Sequence, residues 1–315
     1  MQKASLSKIL ILVIIGFALS GCASASEPIP SSAVQEEIPP SEVPPTNTAE
    51  PTETPIPTPT PLPGAVVIPL DSLGNEFPWL PRDEASVPGT YYFVFNQSLP
   101  PFNNVLVRQA FAAAIDRETL IEIAKKHREV NQQPATTFTH PETLGLNLYN
   151  EVGIPFNPER AQDLLKQAGY TDMSQFPPVT VMINYTGDNP GRNVVISDEM
   201  IKMWNQYLDI TVEQEIISDW GVYLDRTSSN PTEIFLLTWA SDYNDPHGFL
   251  QEAFESNSGY SRGYFSNSEY DSLVNKAADS TDPAERQNLY IQAERILCET
   301  EAAIIPIYHG TYDLR

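Results

Sequence analysis

Between residues 27 and 63 the chain is built almost wholly from Pro, Thr, Ser and Glu, as in Pro51-Thr52-Glu53-Thr54-Pro55 and Thr58-Pro59-Thr60-Pro61. A stretch with so few large apolar groups cannot bury enough surface to offset the entropy of folding. The reading is therefore a disordered tether over 22–64, with one folded domain confined to 65–315. At about 3.1 Å per residue in polyproline II, such a tether spans on the order of 100 Å.

What precedes the tether reads as a targeting segment. Lys3 and Lys8 are followed by the apolar run Ile9 to Leu19, which suits a signal-peptide core and is too short to span a bilayer. Leu19-Ser20-Gly21-Cys22 then places small residues before a cysteine. This looks like a bacterial lipoprotein signal over 1–21, with Cys22 as the lipidated residue. Two or more acyl chains there give stable anchoring, at about 0.8 kcal/mol per buried methylene. The expected location is the extracytoplasmic face of the cell membrane.

Loss of residues 1–21 removes two lysines and no acid, which takes the formal charge from −23 to −25. A surface of that sign repels nucleic acid and anionic headgroups. The only cysteines are Cys22 and Cys298. With Cys22 acylated no internal disulfide forms, and Cys298, in the apolar run Leu289 to Ile305, reads as a small buried residue.

Within 65–315 the pattern alternates. Tyr91 to Phe95 reads as a strand, and Pro100-Pro101 breaks it before a helix over Val105 to Arg128. Pro158 opens a helix that Gly169 closes. A strand follows at Val179 to Tyr185, then helix at Asp198 to Leu208, strand at Ile210 to Ile216, helix at Asp219 to Arg226, and strand at Glu233 to Trp239. Helices at Ser268 to Ala278 and Pro283 to Thr300 lead to a last strand, Ala303 to Tyr308. Strands alternating with helices imply an α/β domain with a mostly parallel sheet covered on both faces.

The stretch most informative about chemistry runs from Leu237 to Gly248, where a buried-looking strand ends in polar and aromatic groups. Ligands of open parallel sheets sit at the carboxyl ends of strands. There Trp239 offers a flat wall and Asp242 a negative charge, a pair suited to an amine-bearing ligand. The same residues also fit an acidic turn in which Asp242 and Asn244 satisfy backbone donors before Pro246. Asp242, Asp245 and His247 lack the spacing of a metal site, and neither a nucleophile elbow nor a phosphate loop is present. No cofactor is expected, and nothing recommends an enzyme. Arg108 and the pair Asp116-Arg117 read as capping and pairing within the domain, with Arg108 and Asp116 on one face of the same helix.

Taken together, Asn96-Gln97-Ser98-Leu99-Pro100-Pro101-Phe102, Val107-Arg108-Gln109-Ala110, Ala114-Ile115-Asp116-Arg117 and the Trp239 to Leu250 loop resemble the family 5 extracellular solute-binding proteins. These are the oligopeptide and dipeptide receptors of ABC importers. Further matches are Tyr264 to Leu273, Asp282-Pro283-Ala284-Glu285-Arg286 with Leu289-Tyr290, and Ile305-Pro306-Ile307-Tyr308. The resemblance implies a type II periplasmic-binding-protein-like lobe, with a mixed, mostly parallel sheet flanked by helices. It further implies partnership with ABC permease subunits, and a ligand amine paired with Asp242 beside Trp239; Tyr243 keeps an aromatic found in some relatives. Family members have two lobes and are about twice as long. The first lobe has no counterpart before Asn96, so the chain resembles the second lobe alone, and a truncated, non-transporting remnant or a tethered interaction module is the alternative expectation.

Overall fold

The computed structural model describes residues 86–126, 132–185, 187, 191–260 and 263–313. The signal segment, Cys22, the tether and the expected helix end at Arg128 lie outside them. In chain order the elements are β1 (Ser86–Phe95), α1 (Val105–Ala113), α2 (Arg117–Lys126), β2 (Gln133–Pro134), α3 (Pro141–Leu144) and α4 (Pro158–Gln167). They continue with β3 (Val179–Asn184), α5 (Arg192–Leu208), β4 (Val212–Ile217), α6 (Trp220–Ser229), β5 (Ile234–Ala240) and α7 (Pro246–Phe254). Last come α8 (Ser268–Asp279), α9 (Pro283–Arg295), which widens into a π turn at Ile296–Thr300, and β6 (Ile304–Asp313).

Helix starts are written in Asx-Pro pairs. Asn157-Pro158, Asp245-Pro246 and Asp282-Pro283 open α4, α7 and α9, the acidic or amide side chain accepting from a first-turn N–H while proline fills a position whose N–H needs no partner.

The expected helix over Val105 to Arg128 is two helices. Asp116 causes the break: its Oδ1 accepts from Glu118 N at 3.1 Å and Thr119 N at 3.4 Å, so it caps α2 rather than continuing α1. Apolar spacing runs unbroken across the joint because both helices face one core, which hid the break in the pattern. Arg108 and Asp116 therefore do not share a helix. Arg108 reaches instead to the Glu301 carbonyl at 2.8 Å and carboxylate at 3.1 Å.

The six strands form one mixed sheet in the order β2-β6-β1-β5-β3-β4. Its parallel share is smaller than expected: β3 pairs parallel with β4 and β5, whereas β1 is antiparallel to β5 and β6, and β6 to β2. Strand and helix alternate one for one only from β3 to β5, and only there do crossover helices place like-directed strands side by side in the sheet.

Central β1 is aromatic or apolar from Tyr91 to Phe95 because both of its faces are buried there. Tyr91, Phe93 and Phe95 enter a core with Phe111, Leu165 and Trp204, while Tyr92 and Val94 enter a second core with Phe249, Tyr270 and Leu297. The Trp204 indole N–H donates to Phe111 O at 3.0 Å, which satisfies the one polar atom of the largest buried side chain.

Buried charges pin the elements together. Arg117 donates to Pro306 O at 2.7 Å and Ile154 O at 3.1 Å, and burial pushes its pKa down to about 10, still cationic at neutral pH. Glu294, on α9, accepts from Phe138 N at 2.8 Å and Thr139 N at 2.6 Å. Cys298 is buried, as its apolar setting implied, with its thiol 3.4 Å from Glu294 Oε2.

Candidate solute-binding face

β5 is flanked by β1 and β3, and its last residues carry the side chains singled out above. Alternation along it sends Phe235, Leu237 and Trp239 towards the second core. Trp239 lies at the margin of that core, half-buried, with Tyr260 edge-on to its ring at 5.4 Å. Its indole N–H donates to Gly248 O at 2.8 Å, which ties the strand end to the first turn of α7.

Asp242 is exposed, and its carboxylate has no hydrogen-bond or ion-pair partner among the described residues. The acidic-turn reading fails for it, since the capping work falls to Asp245: one oxygen accepts from His247 N at 2.8 Å. Asp245 also receives both arms of Arg286, at 2.7 and 2.8 Å.

Tyr243 is 41% exposed, and its hydroxyl is engaged by two neighbouring side chains. It donates to Glu252 Oε1 at 2.8 Å and meets His247 Nδ1. Burial, then the Glu252 hydrogen bond, raise its pKa above the ordinary tyrosine value.

The three candidate ligand-binding residues thus lie within five positions at the end of β5, with distinct surroundings. A metal is not favoured there: Asp245 is held by Arg286 and His247 Nδ1 by Tyr243, and among the described residues no group of three or more His, Cys, Asp or Glu is placed to hold an ion.

A second feature of this end of the sheet was not singled out in the sequence. The carboxyl ends of β3 and β5 and the starts of α5 and α6 enclose a pocket of about 60 Å³, lined by Asn184, Arg192, Trp220, Tyr223 and Thr238 among others. The Arg192 guanidinium lies over the Tyr91 ring at 5.1 Å, and Trp220, 53% exposed, stacks on Tyr223 at 5.7 Å. Asn193 accepts from Tyr91 Oη at 3.1 Å and donates to Asn184 Oδ1 at 3.0 Å. A guanidinium at the amino end of a 17-residue helix favours negative charge. The usable signal is Asp219-Trp220, an exposed aromatic soon after a parallel strand; the Asp198 to Leu208 helix is present as α5, but it starts six residues earlier than its apolar spacing indicates, which leaves Arg192 and Asn193 outside the expected element.

The family described as bacterial extracellular solute-binding proteins, family 5 Middle, matches residues 55–261. The chain belongs to that family. Its relatives are named as binding proteins rather than enzymes. It is 32% identical over 247 residues to the probable deoxycholate-binding periplasmic protein YgiS of Escherichia coli K12, covering 73% of this chain and 43% of that one. It is 29% identical over 224 residues to the periplasmic oligopeptide-binding protein OppA of the same organism, covering 70% and 39%. Among solved structures, the Escherichia coli murein tripeptide binding protein MppA superposes with a TM-score of 0.60 at 28% identity, covering 72% of this chain and 44% of that one. The type II periplasmic-binding-protein-like lobe expected from the motifs is therefore the fold of this family 5 domain. The chain spans less than half the length of these relatives. Among the described residues no helix is long and apolar enough to cross a membrane.

Proposed function

We propose that this family 5 chain is a substrate-binding component of an ABC importer, taking peptides or a related amine-bearing solute against the face that carries Trp239, Asp242 and Tyr243. The observation that carries the reading is the exposed Asp242 carboxylate, without a partner among the described residues, two positions past the end of the strand that carries the half-buried Trp239. Asp242 pairs with the ligand amine, and Trp239 supports the adjoining apolar atoms.

The same reading makes Cys22 the lipid anchor on the extracytoplasmic face and ABC permease subunits the partners. Closing the site requires a second face, from this polypeptide or another, as lobe closure does in two-lobed receptors. The relatives' names cover oligopeptides and deoxycholate, so membership does not choose the cargo.

A charge-assisted bond in a dry cleft contributes about 1.5 to 3 kcal/mol, but the same pair facing water only about 0 to 1. The chain by itself should bind short peptides in the millimolar range or weaker. Titration with a mixed tripeptide pool, followed by NMR, should move the signals of residues 239–243. Shifts confined to other parts of the lobe would displace the proposed face, and micromolar affinity by calorimetry would show that no second face is needed.

A further inference from the structure

The loop from Trp239 to Gly248 is a closed frame. Ser241 Oγ donates to Tyr243 O at 2.8 Å, Asp245 caps α7, and Trp239 reaches Gly248 O. Gly248 lies so close beneath the loop that a Cβ there would come within 2.0 Å of Ser241 Oγ. Among the loop's polar side chains only Asp242 and Asn244 have no partner among the described residues. Such a frame holds one carboxylate out towards the ligand face.

Besides its strand end, the frame is fixed to the rest of the lobe by a residue far away in sequence. Arg286, in the Asp282 to Arg286 run whose role the motif left open, clasps both oxygens of Asp245, three residues after Asp242. Its own guanidinium is held in turn: Nε donates to Ala277 O at 3.0 Å, Nη2 donates to Tyr290 Oη at 3.1 Å, and the group lies 5.1 Å from the Tyr290 ring centroid. One planar fork thereby joins α8, α9 and the start of α7, an arrangement a lysine cannot reproduce because it lacks paired, coplanar donors.

We propose that Arg286 is a positioning residue for amine recognition, acting through Asp245 to hold Asp242 in place. This rests on the assignment of Asp242 to the ligand amine. Asp245 keeps its capping bond without Arg286, so α7 survives, while the loop before it loses its attachment to α9.

The test compares a short peptide with its amino-acetylated form by NMR titration of the purified chain and its Arg286→Lys, Arg286→Gln and Asp245→Asn variants. Asparagine retains a capping oxygen at position 245. The unaltered chain should prefer the free amine by up to about fivefold, the factor corresponding to a solvent-facing ion pair. That preference should fall to near one in Arg286→Gln and Asp245→Asn, and be partly retained in Arg286→Lys. Relaxation of the backbone amides of Ser241 to Asn244 should show greater mobility in the first two. A preference that survives in both folded variants overturns the positioning role while leaving Asp242's role intact. Absence of any preference in the unaltered chain overturns both.

Discussion

Thr90 Oγ1 and His309 Nδ1 lie 2.9 Å apart, and a third group fixes the direction of that bond. The threonine hydroxyl donates its one proton to Phe138 O at 2.6 Å, so the imidazole is the donor and carries its proton on Nδ1. His140 lies beside it, ring centroids 5.3 Å apart, and has the opposite tautomer, since its Nδ1 accepts from Glu142 N at 3.2 Å. Two neutral imidazoles thus meet where β1, β6 and the segment before α3 join.

This pair makes stability depend on pH. Burial lowers the pKa of both; for His309 the neighbouring His140 lowers it further, and for His140 Glu142 partly opposes the shift. An unfolded histidine takes up its proton near 6.5, so below that pH the unfolded chain binds more protons. The contribution is whole above about pH 6.5 and is lost as the pH falls towards the lowered folded values. Urea midpoints at pH 7.5 and 5.0 should drop more for the unaltered chain than for a His140→Asn, His309→Gln double variant, which keeps the α3 cap and the donor to Thr90. Glu294, raised by burial, responds in the opposite sense but is common to both chains. Equal drops would remove the imidazoles from the explanation.

Asp242→Asn should leave the fold intact, because nothing among the described residues bonds to that carboxylate. Stability should change by less than about 0.5 kcal/mol. Ligands with a free amine should weaken more than acetylated ones. Equal weakening of both, measured by titration, would exclude an amine contact.

Gly248→Ala should destabilise the lobe by about 1 to 3 kcal/mol, since the added methyl meets Ser241 Oγ at 2.0 Å and Tyr243 Cζ at 3.1 Å. Ser241→Ala in the same chain should recover part of that loss, which a double-mutant cycle in urea reads directly. Strict additivity would mean that the two sites do not touch.

Cys22→Ser should move the protein from the membrane fraction to the soluble fraction after cell lysis. Retention in the membrane pellet would argue against an acyl anchor at that position.

Periodicity locates most of the elements because they are amphipathic or wholly apolar: the strands expected at 179–185 and 233–239 lie within one residue of their observed limits, whereas the one expected at 91–95 begins five residues earlier, at Ser86, where Pro88, Gly89 and Thr90 break the apolar run. It failed where local polar chemistry overrides the pattern. Asp116 divides a continuous apolar stripe into two helices, and α7 escapes the pattern because Asp245-Pro246 at its start fits a turn equally well. Trp239, Asp242 and Tyr243 were legible as one turn after one strand. The Tyr243 hydroxyl's commitment to Glu252 and Arg286's hold on Asp245 join groups 9 and 41 residues apart, a proximity that spacing along the chain does not reveal.

Partnership of β1 with β6 bears on how the domain is made. Register pairs Ser86 with Asp313 and Val94 with Ile304, so the first described strand waits for the last one on one of its two edges. A ribosome adding about 5 to 20 residues per second takes on the order of ten seconds or more to bridge that interval. Until then β1 keeps one row of amides and carbonyls open, and the sheet cannot close. Under the proposed export, late closure would keep the chain pliable during passage and place final assembly on the far side of the membrane.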